Sequence, residues 1–159
     1  MPTLCNVLKA TLYGGFGHMH VTFNLVSPYL GGSVIKSNKG WGIGIKEISI
    51  LKKNSFLSNI KNLNLIFFHQ DQVVKLPNKA ELIAQNSFCN ISSFSIDKFV
   101  LTLQAHPEFT QDFSLRLLNA RKGDIDPIIY LKAKEEFENL EHDGKLIVLN
   151  IIHFLEQKL

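Results

Sequence analysis

At 159 residues, 45% of them hydrophobic, 19% charged and 12 of them phenylalanine, the chain has the size and apolar content of one globular domain, which excludes a disordered or low-complexity segment. Its net charge of +3 comes almost wholly from lysine, with Arg116 and Arg121 the only arginines and Lys52-Lys53 the nearest thing to a basic cluster, so no nucleic-acid partner is implied. Cys5 and Cys89 are too few for a disulfide framework and lack metal-ligand spacing. No apolar run reaches the roughly 18–20 residues of a membrane span, and the first residues lack the pattern of a signal peptide. The expectation is a reduced, cytoplasmic protein with no membrane, metal or cofactor.

In chain order, residues 5–13 are apolar and are broken by Gly14, Gly15 and Gly17. Residues 19–30 suit a helix that Pro28 interrupts, because proline lacks an N–H and clashes with the preceding turn. Gly31-Gly32 ends it with a left-handed cap. Two strand candidates fall between Ser33 and Ile50, the second marked by Ile43, Ile45, Ile48 and Ile50. The dense run Leu63–Phe68 predicts a buried strand that leads into His69–Val74. Segments 80–85, 91–96 and 99–106 follow as strands between Asn, Ser and Asp turns. The last third is helical. Thr110 caps a helix running to Arg121 and stopped by Lys122-Gly123, Asp126-Pro127 starts a second, and Lys145–Gln157 forms a third with a broad apolar face.

The stretch Val100–Phe109 carries the chemistry. On a strand, Val100, Thr102, Gln104 and His106 share one side, while Leu101, Leu103 and Ala105 take the other and form core. His106 is thereby delivered to a strand end, where α/β folds place their sites, and Pro107 keeps it out of a helical conformation. Glu108 lies two residues on and can face the imidazole, fixing its tautomer as in a nucleophile–base–acid triad. The spacing alone favours a partly buried histidine beside a helix-start carboxylate.

Gln104–Phe109, QAHPEF, resembles the histidine–glutamate motif of the class I glutamine amidotransferases, which hydrolyse glutamine with a Cys–His–Glu triad and pass ammonia to a synthase partner. Other pieces are similar in the same order. They are Leu30–Val34 followed by Lys39-Gly40-Trp41-Gly42, then His69-Gln70-Asp71-Gln72-Val73 with Leu76-Pro77, then Ala80 to Cys89, in the manner of the GMP-synthase-like stand-alone branch. The resemblance covers residues 30–159. It implies an α/β, flavodoxin-like domain with a mixed sheet flanked by helices and a C-terminal helical segment, and it makes His106 and Glu108 the expected catalytic residues.

Residues 1–29 match the family poorly. A family nucleophile is a cysteine in a tight turn of the type G-x-C-x-G-H-Q, where a helix N-terminus favours the thiolate. Here Tyr13–Met19 puts Gly15 at that place, and the downstream spacing puts His20 there. Cys5 lies too far upstream, and Cys89 is expected to be structural. His18 and His20 form no convincing metal pair, and His142 and His153 carry no motif. The family's preceding glycine-rich oxyanion loop is also missing, and losing one such donor costs about 10²–10³ in rate. The expectation is thus a single domain over 1–159, incomplete at its N-terminus and without glutaminase activity. Its substrate, if active, is glutamine. Its partner is a synthase-like protein or a second copy paired through an exposed sheet edge. The alternatives are a non-catalytic binding or regulatory module, or the product of a truncated reading frame.

Overall fold

The computed structural model describes Ser27, residues 30–52, Leu57, residues 60–96 and residues 100–156, and side chains within 101–150 of that last stretch. Cys5, Gly15, His18, His20 and the interrupting Pro28 lie outside the described residues, as do the side chain of His153 and the expected last helical residue, Gln157.

Among the described residues from Ser33 onward, seven strands precede three helices. The strands are β1 (Ser33–Lys36), β2 (Gly42–Ile50), β3 (Asn62–His69), β4 (Asp71–Lys75), β5 (Ala80–Gln85), β6 (Ser93–Ile96) and β7 (Val100–Leu103). The helices are α1 (Gln111–Ala120), α2 (Pro127–Asn139) and α3 (Gly144–Glu156), with a 3-10 turn at Lys122–Asp124 between the first two. This is the mixed α/β architecture expected. Among the described residues the strands make a five-stranded sheet in the order β3-β2-β5-β6-β7 and a separate β1-β4 ribbon. The resemblance implies a mixed sheet, and each pairing between the described strands is antiparallel.

The helix starts follow their sequence signals. Thr110 Oγ1 accepts from the Phe113 N–H, satisfying one of the four donors a helix start leaves open. Asp126 does the same for Ile128 and Ile129, with Pro127 in the first turn, where its missing N–H costs nothing. No helix among the described residues is long and apolar enough to cross a membrane.

The core has two sides. Ile43, Ile45, Ile66 and Phe68 face Leu118, Tyr130, Ala133 and Phe137 of α1 and α2. Ile48, Leu63, Leu65 and Phe67 face Ile83, Leu103, Ala105 and Ile147 of α3. With both faces of β3 covered, the expected buried strand is confirmed, and its run of apolar residues has a physical reason.

Two strand boundaries differ from expectation. The strand expected at 91–96 starts at Ser93, because the Ser92 N–H turns back to the Ala84 carbonyl and its hydroxyl to the Cys89 carbonyl. The strand expected at 99–106 ends at Leu103, where the Gln104 N–H donates to the Ser92 carbonyl and the chain bends. The expected contrast between its two faces also needs correction. Thr102, Gln104 and His106 are buried along with Leu103 and Ala105, so both rows are interior.

Candidate active site

His106 sits three residues past the end of β7, held by its backbone against β3. Its N–H donates to the Ile66 carbonyl of β3 at 2.7 Å, and its carbonyl accepts from the Phe109 N–H at 3.2 Å, closing a turn around Pro107. That turn points the chain directly into α1. Behind it, Gly144 opens α3 so near the Pro107 carbonyl and the His142 ring that a Cβ there would collide with both. The neighbouring edge of β3 is occupied too. Asp143 receives the Asn64 N–H on its carboxylate and returns its own N–H to the Asn64 carbonyl, each at 2.7 Å. At Asn64 and Ile66, then, β3 presents paired backbone groups.

The side chains meet as the spacing predicts. His106 Nδ1 and Glu108 Oε1 are 3.0 Å apart, with the imidazole nearly enclosed and the carboxylate 32% exposed. A carboxylate can only accept, so Nδ1 carries the proton in this contact and Nε2 is the nitrogen able to take one. The imidazole also stacks on Phe109, centroids 4.2 Å apart and planes 13° apart, and Phe113 abuts that ring edge-on at 4.6 Å. In the sequence, Phe109 stands out only as part of the motif. Its place under the imidazole depends on the turn that brings residue 109 back beneath residue 106.

Cys89 is structural in its surroundings, as expected. It is fully buried, and its Sγ accepts from Gln104 Nε2 at 2.8 Å. Burial pushes its thiol up to about 11, only partly offset by hydrogen bonds from the Ser92 and Ile91 side and by the charge of Lys39. A thiol held neutral is a poor nucleophile.

His69 of the H-x-D-x-V segment is also fully buried. Its Nδ1–H donates to the Asp71 carbonyl at 2.9 Å and so fixes the turn from β3 into β4. His142 Nδ1 accepts from the Gly144 N–H at the start of α3. Among the described residues no three His, Cys, Asp or Glu side chains are placed to share a metal ion.

The chain is similar to known proteins. The chain is 27% identical to gamma-glutamyl peptidase 2 of Arabidopsis thaliana over 158 residues, taking in 95% of this chain and 62% of the relative. It is 36% identical to a subunit of the glutamine-hydrolysing GMP synthase of Methanosphaera stadtmanae over 64 residues, 39% of this chain and 34% of that one. A crystal structure of a glutamine amidotransferase from Thermotoga maritima matches it with a TM-score of 0.63 at 23% identity, covering 84% of this chain and 57% of the other. The chain thus spans less than two thirds of the length of these relatives. No family model matches it. The homologues of this chain are glutamine-amidotransferase-like proteins, and its fold is that of the class I glutamine amidotransferases.

Proposed function

We propose that this chain is a glutamine-amidotransferase-like domain that keeps the acid–base half of a γ-glutamyl-hydrolysing site and does not hydrolyse glutamine by itself. The observation that carries the reading is the His106–Glu108 pair. An enclosed imidazole bonded through Nδ1 to a carboxylate is arranged to take a proton at Nε2 and to have the resulting imidazolium stabilised.

In the full reaction, Nε2 removes the proton of a thiol, whose sulfur attacks the γ-carboxamide carbon of glutamine. The imidazolium then gives that proton to the leaving ammonia, and a γ-glutamyl thioester remains. Water, deprotonated by the same nitrogen, attacks the thioester and releases glutamate and the thiol. His106 makes every proton transfer in this sequence, and Glu108 orients its imidazole and stabilises the imidazolium. The sulfur is the missing element. Of the two cysteines in the sequence, Cys89 is buried and held neutral, and Cys5 lacks the following glycine turn of a nucleophile elbow.

The likeness to a synthase component supports a partner protein as the setting in which the domain works. The test measures glutamate and ammonia from glutamine with the isolated chain, with and without an electrophilic glutamine analogue. The expected result is no turnover and no adduct. Turnover that His106→Ala abolishes and Cys5→Ser also abolishes overturns the inactive reading and makes Cys5 the nucleophile.

A further inference from the structure

We propose that Gln104 is a positioning residue for His106, fixing from the N-terminal side the direction in which the imidazole meets Glu108. The role rests on the reading of His106 and Glu108 as an acid–base pair and not on turnover. Gln104 stands at a joint in the sheet. Among the described residues, β3 and β7 are opposite ends of the order β3-β2-β5-β6-β7. The Gln104 N–H still continues the β6-β7 ladder, donating to the Ser92 carbonyl at 2.8 Å. Two residues later the His106 N–H donates to the Ile66 carbonyl of β3 at 2.7 Å. The chain thus leaves one end of the sheet and reaches the other within three residues. Between them, buried Ala105 joins the cluster of Leu65, Phe67, Leu103 and Ile147.

The side chain of Gln104 fastens that joint. It is buried, and its Nε2 donates to the Ile91 carbonyl at 2.6 Å and to Cys89 Sγ at 2.8 Å. Burying an amide is unfavourable unless its hydrogen bonds are made, and both N–H groups here have acceptors. The acceptors are themselves held. Asn86 Oδ1 accepts from the Phe88 and Cys89 N–H groups, and Ser92 Oγ donates to the Cys89 carbonyl. The backbone bond to Ser92 sets where residue 104 lies, and the side-chain bonds set its rotation about the chain axis. Alternate residues of an extended segment share a side, so that rotation passes to His106.

The imidazole is sensitive to that rotation. Nδ1 and Glu108 Oε1 are 3.0 Å apart, and a hydrogen bond weakens steeply as its angle closes. On the C-terminal side the residue is held by its stack on Phe109 and by the Phe109 N–H on the His106 carbonyl. Gln104 supplies the hold on the N-terminal side. An apolar side chain of similar length fills the same space but has no donor for Ile91, so it packs the joint without setting its direction.

The experiment compares the imidazole ¹⁵N shifts of His106 in the full chain, in Gln104→Met and in Thr102→Val, at a pH where the ring is neutral, with urea midpoints reporting the stability lost. Thr102 is a buried neighbour on β7 whose Oγ1 donates to the Phe94 carbonyl, so its loss weakens the same sheet without touching the joint. The wild type is expected to show a dominant Nδ1–H form. Gln104→Met is expected to lower the ratio of Nδ1–H to Nε2–H by about tenfold, the effect of losing one hydrogen bond to a charged group. Thr102→Val is expected to lower the urea midpoint and leave the ratio unchanged. If Gln104→Met does not fold, Gln104→Asn takes its place. Its amide falls one methylene short of Ile91, and the expected fall is about threefold. An unchanged ratio in the Gln104 variant, or an equal fall in Thr102→Val, overturns the positioning role and leaves the acid–base pair standing. A wild type without a dominant Nδ1–H form overturns the pair and the positioning role together.

Discussion

The imidazole of His106 lies flat against the phenyl ring of Phe109, with 4.2 Å between centroids and 13° between planes. Phe113 braces that ring from the side, so the imidazole is oriented by an aromatic face as well as by Glu108. Phe109→Leu keeps an apolar residue but removes the flat face, at an expected cost of about 1–2 kcal/mol. Phe109→Ala also opens a cavity and costs about 3–5 kcal/mol. The carbon-bound imidazole protons of His106, shielded by the ring beneath them, should move downfield in the Leu variant. If they stay in place while the urea midpoint falls, Phe109 is packing alone and does not orient His106.

Glu108 should control which imidazole nitrogen carries the proton. Glu108→Gln keeps an acceptor within reach of Nδ1, whereas Glu108→Ala removes it. Imidazole ¹⁵N shifts of the neutral protein should show a dominant Nδ1–H form in the wild type and the Gln variant, and a mixture of tautomers in the Ala variant. The stability cost of Glu108→Ala should stay near or below about 1 kcal/mol, because solvent screens a carboxylate that is a third exposed. Identical ring nitrogen shifts in all three proteins would remove the orienting role.

Local signals were legible in the sequence, and distant pairings were not. Thr110 and Asp126-Pro127 announce their helices because a cap acts within three residues. His106 and Glu108 meet because two residues separate them and Pro107 limits the turn between them. Leu63–Phe68 reads as buried because a strand covered on both faces has no polar alternation. By contrast, β1 leaves the main sheet to pair with β4, which is more than thirty residues away in sequence, and no local pattern encodes that choice. The β7 boundary was also out of reach. It is set by Ser92 taking the Gln104 N–H and by Cys89 and Ile91 taking the Gln104 amide, contacts that exist only once the 86–91 loop is folded over the strand.

Cys89 makes the alkaline stability of the fold predictable. Its thiol is raised from 9.0 to about 11 by burial, so the unfolded chain releases this proton first. The resulting stabilisation is present in full below about pH 9 and is lost as pH rises through about 11, a change of roughly 2–3 kcal/mol. Lys46 acts in the opposite sense, since burial lowers its pKa and stability gained from it grows as pH approaches its ordinary 10.5. It is present in both the wild type and Cys89→Ala, so it cancels when their urea midpoints are compared between neutral and alkaline pH. The wild type should lose stability more steeply. Iodoacetamide at mildly alkaline pH should modify Cys89 only after denaturation, and rapid labelling of the folded chain at Cys89 would refute its enclosure.

Glu136 of α2 does for β2 what a neighbouring strand would otherwise do. β2 meets β5 only at Ser49 and Ile50, and further back along the same edge the Ile45 N–H donates to Glu136 Oε2 at 3.0 Å. Gly44 makes the approach possible. Its φ of 118° lies where side chains are strained, and a Cβ there would run into the Glu136 carboxylate. Gly44→Ala should therefore cost on the order of 2–4 kcal/mol, from backbone strain and collision together. Glu136→Ala should cost about 1–3 kcal/mol by stranding the Ile45 N–H, and Glu136→Gln less, since its amide oxygen can still accept. In the double variant the collision disappears while the strain remains, so the total should fall short of the sum by about 1 kcal/mol or more. Urea denaturation of the four proteins measures that shortfall. Strict additivity would mean that the carboxylate and the glycine are not coupled, and that Gly44 is present for its backbone conformation alone.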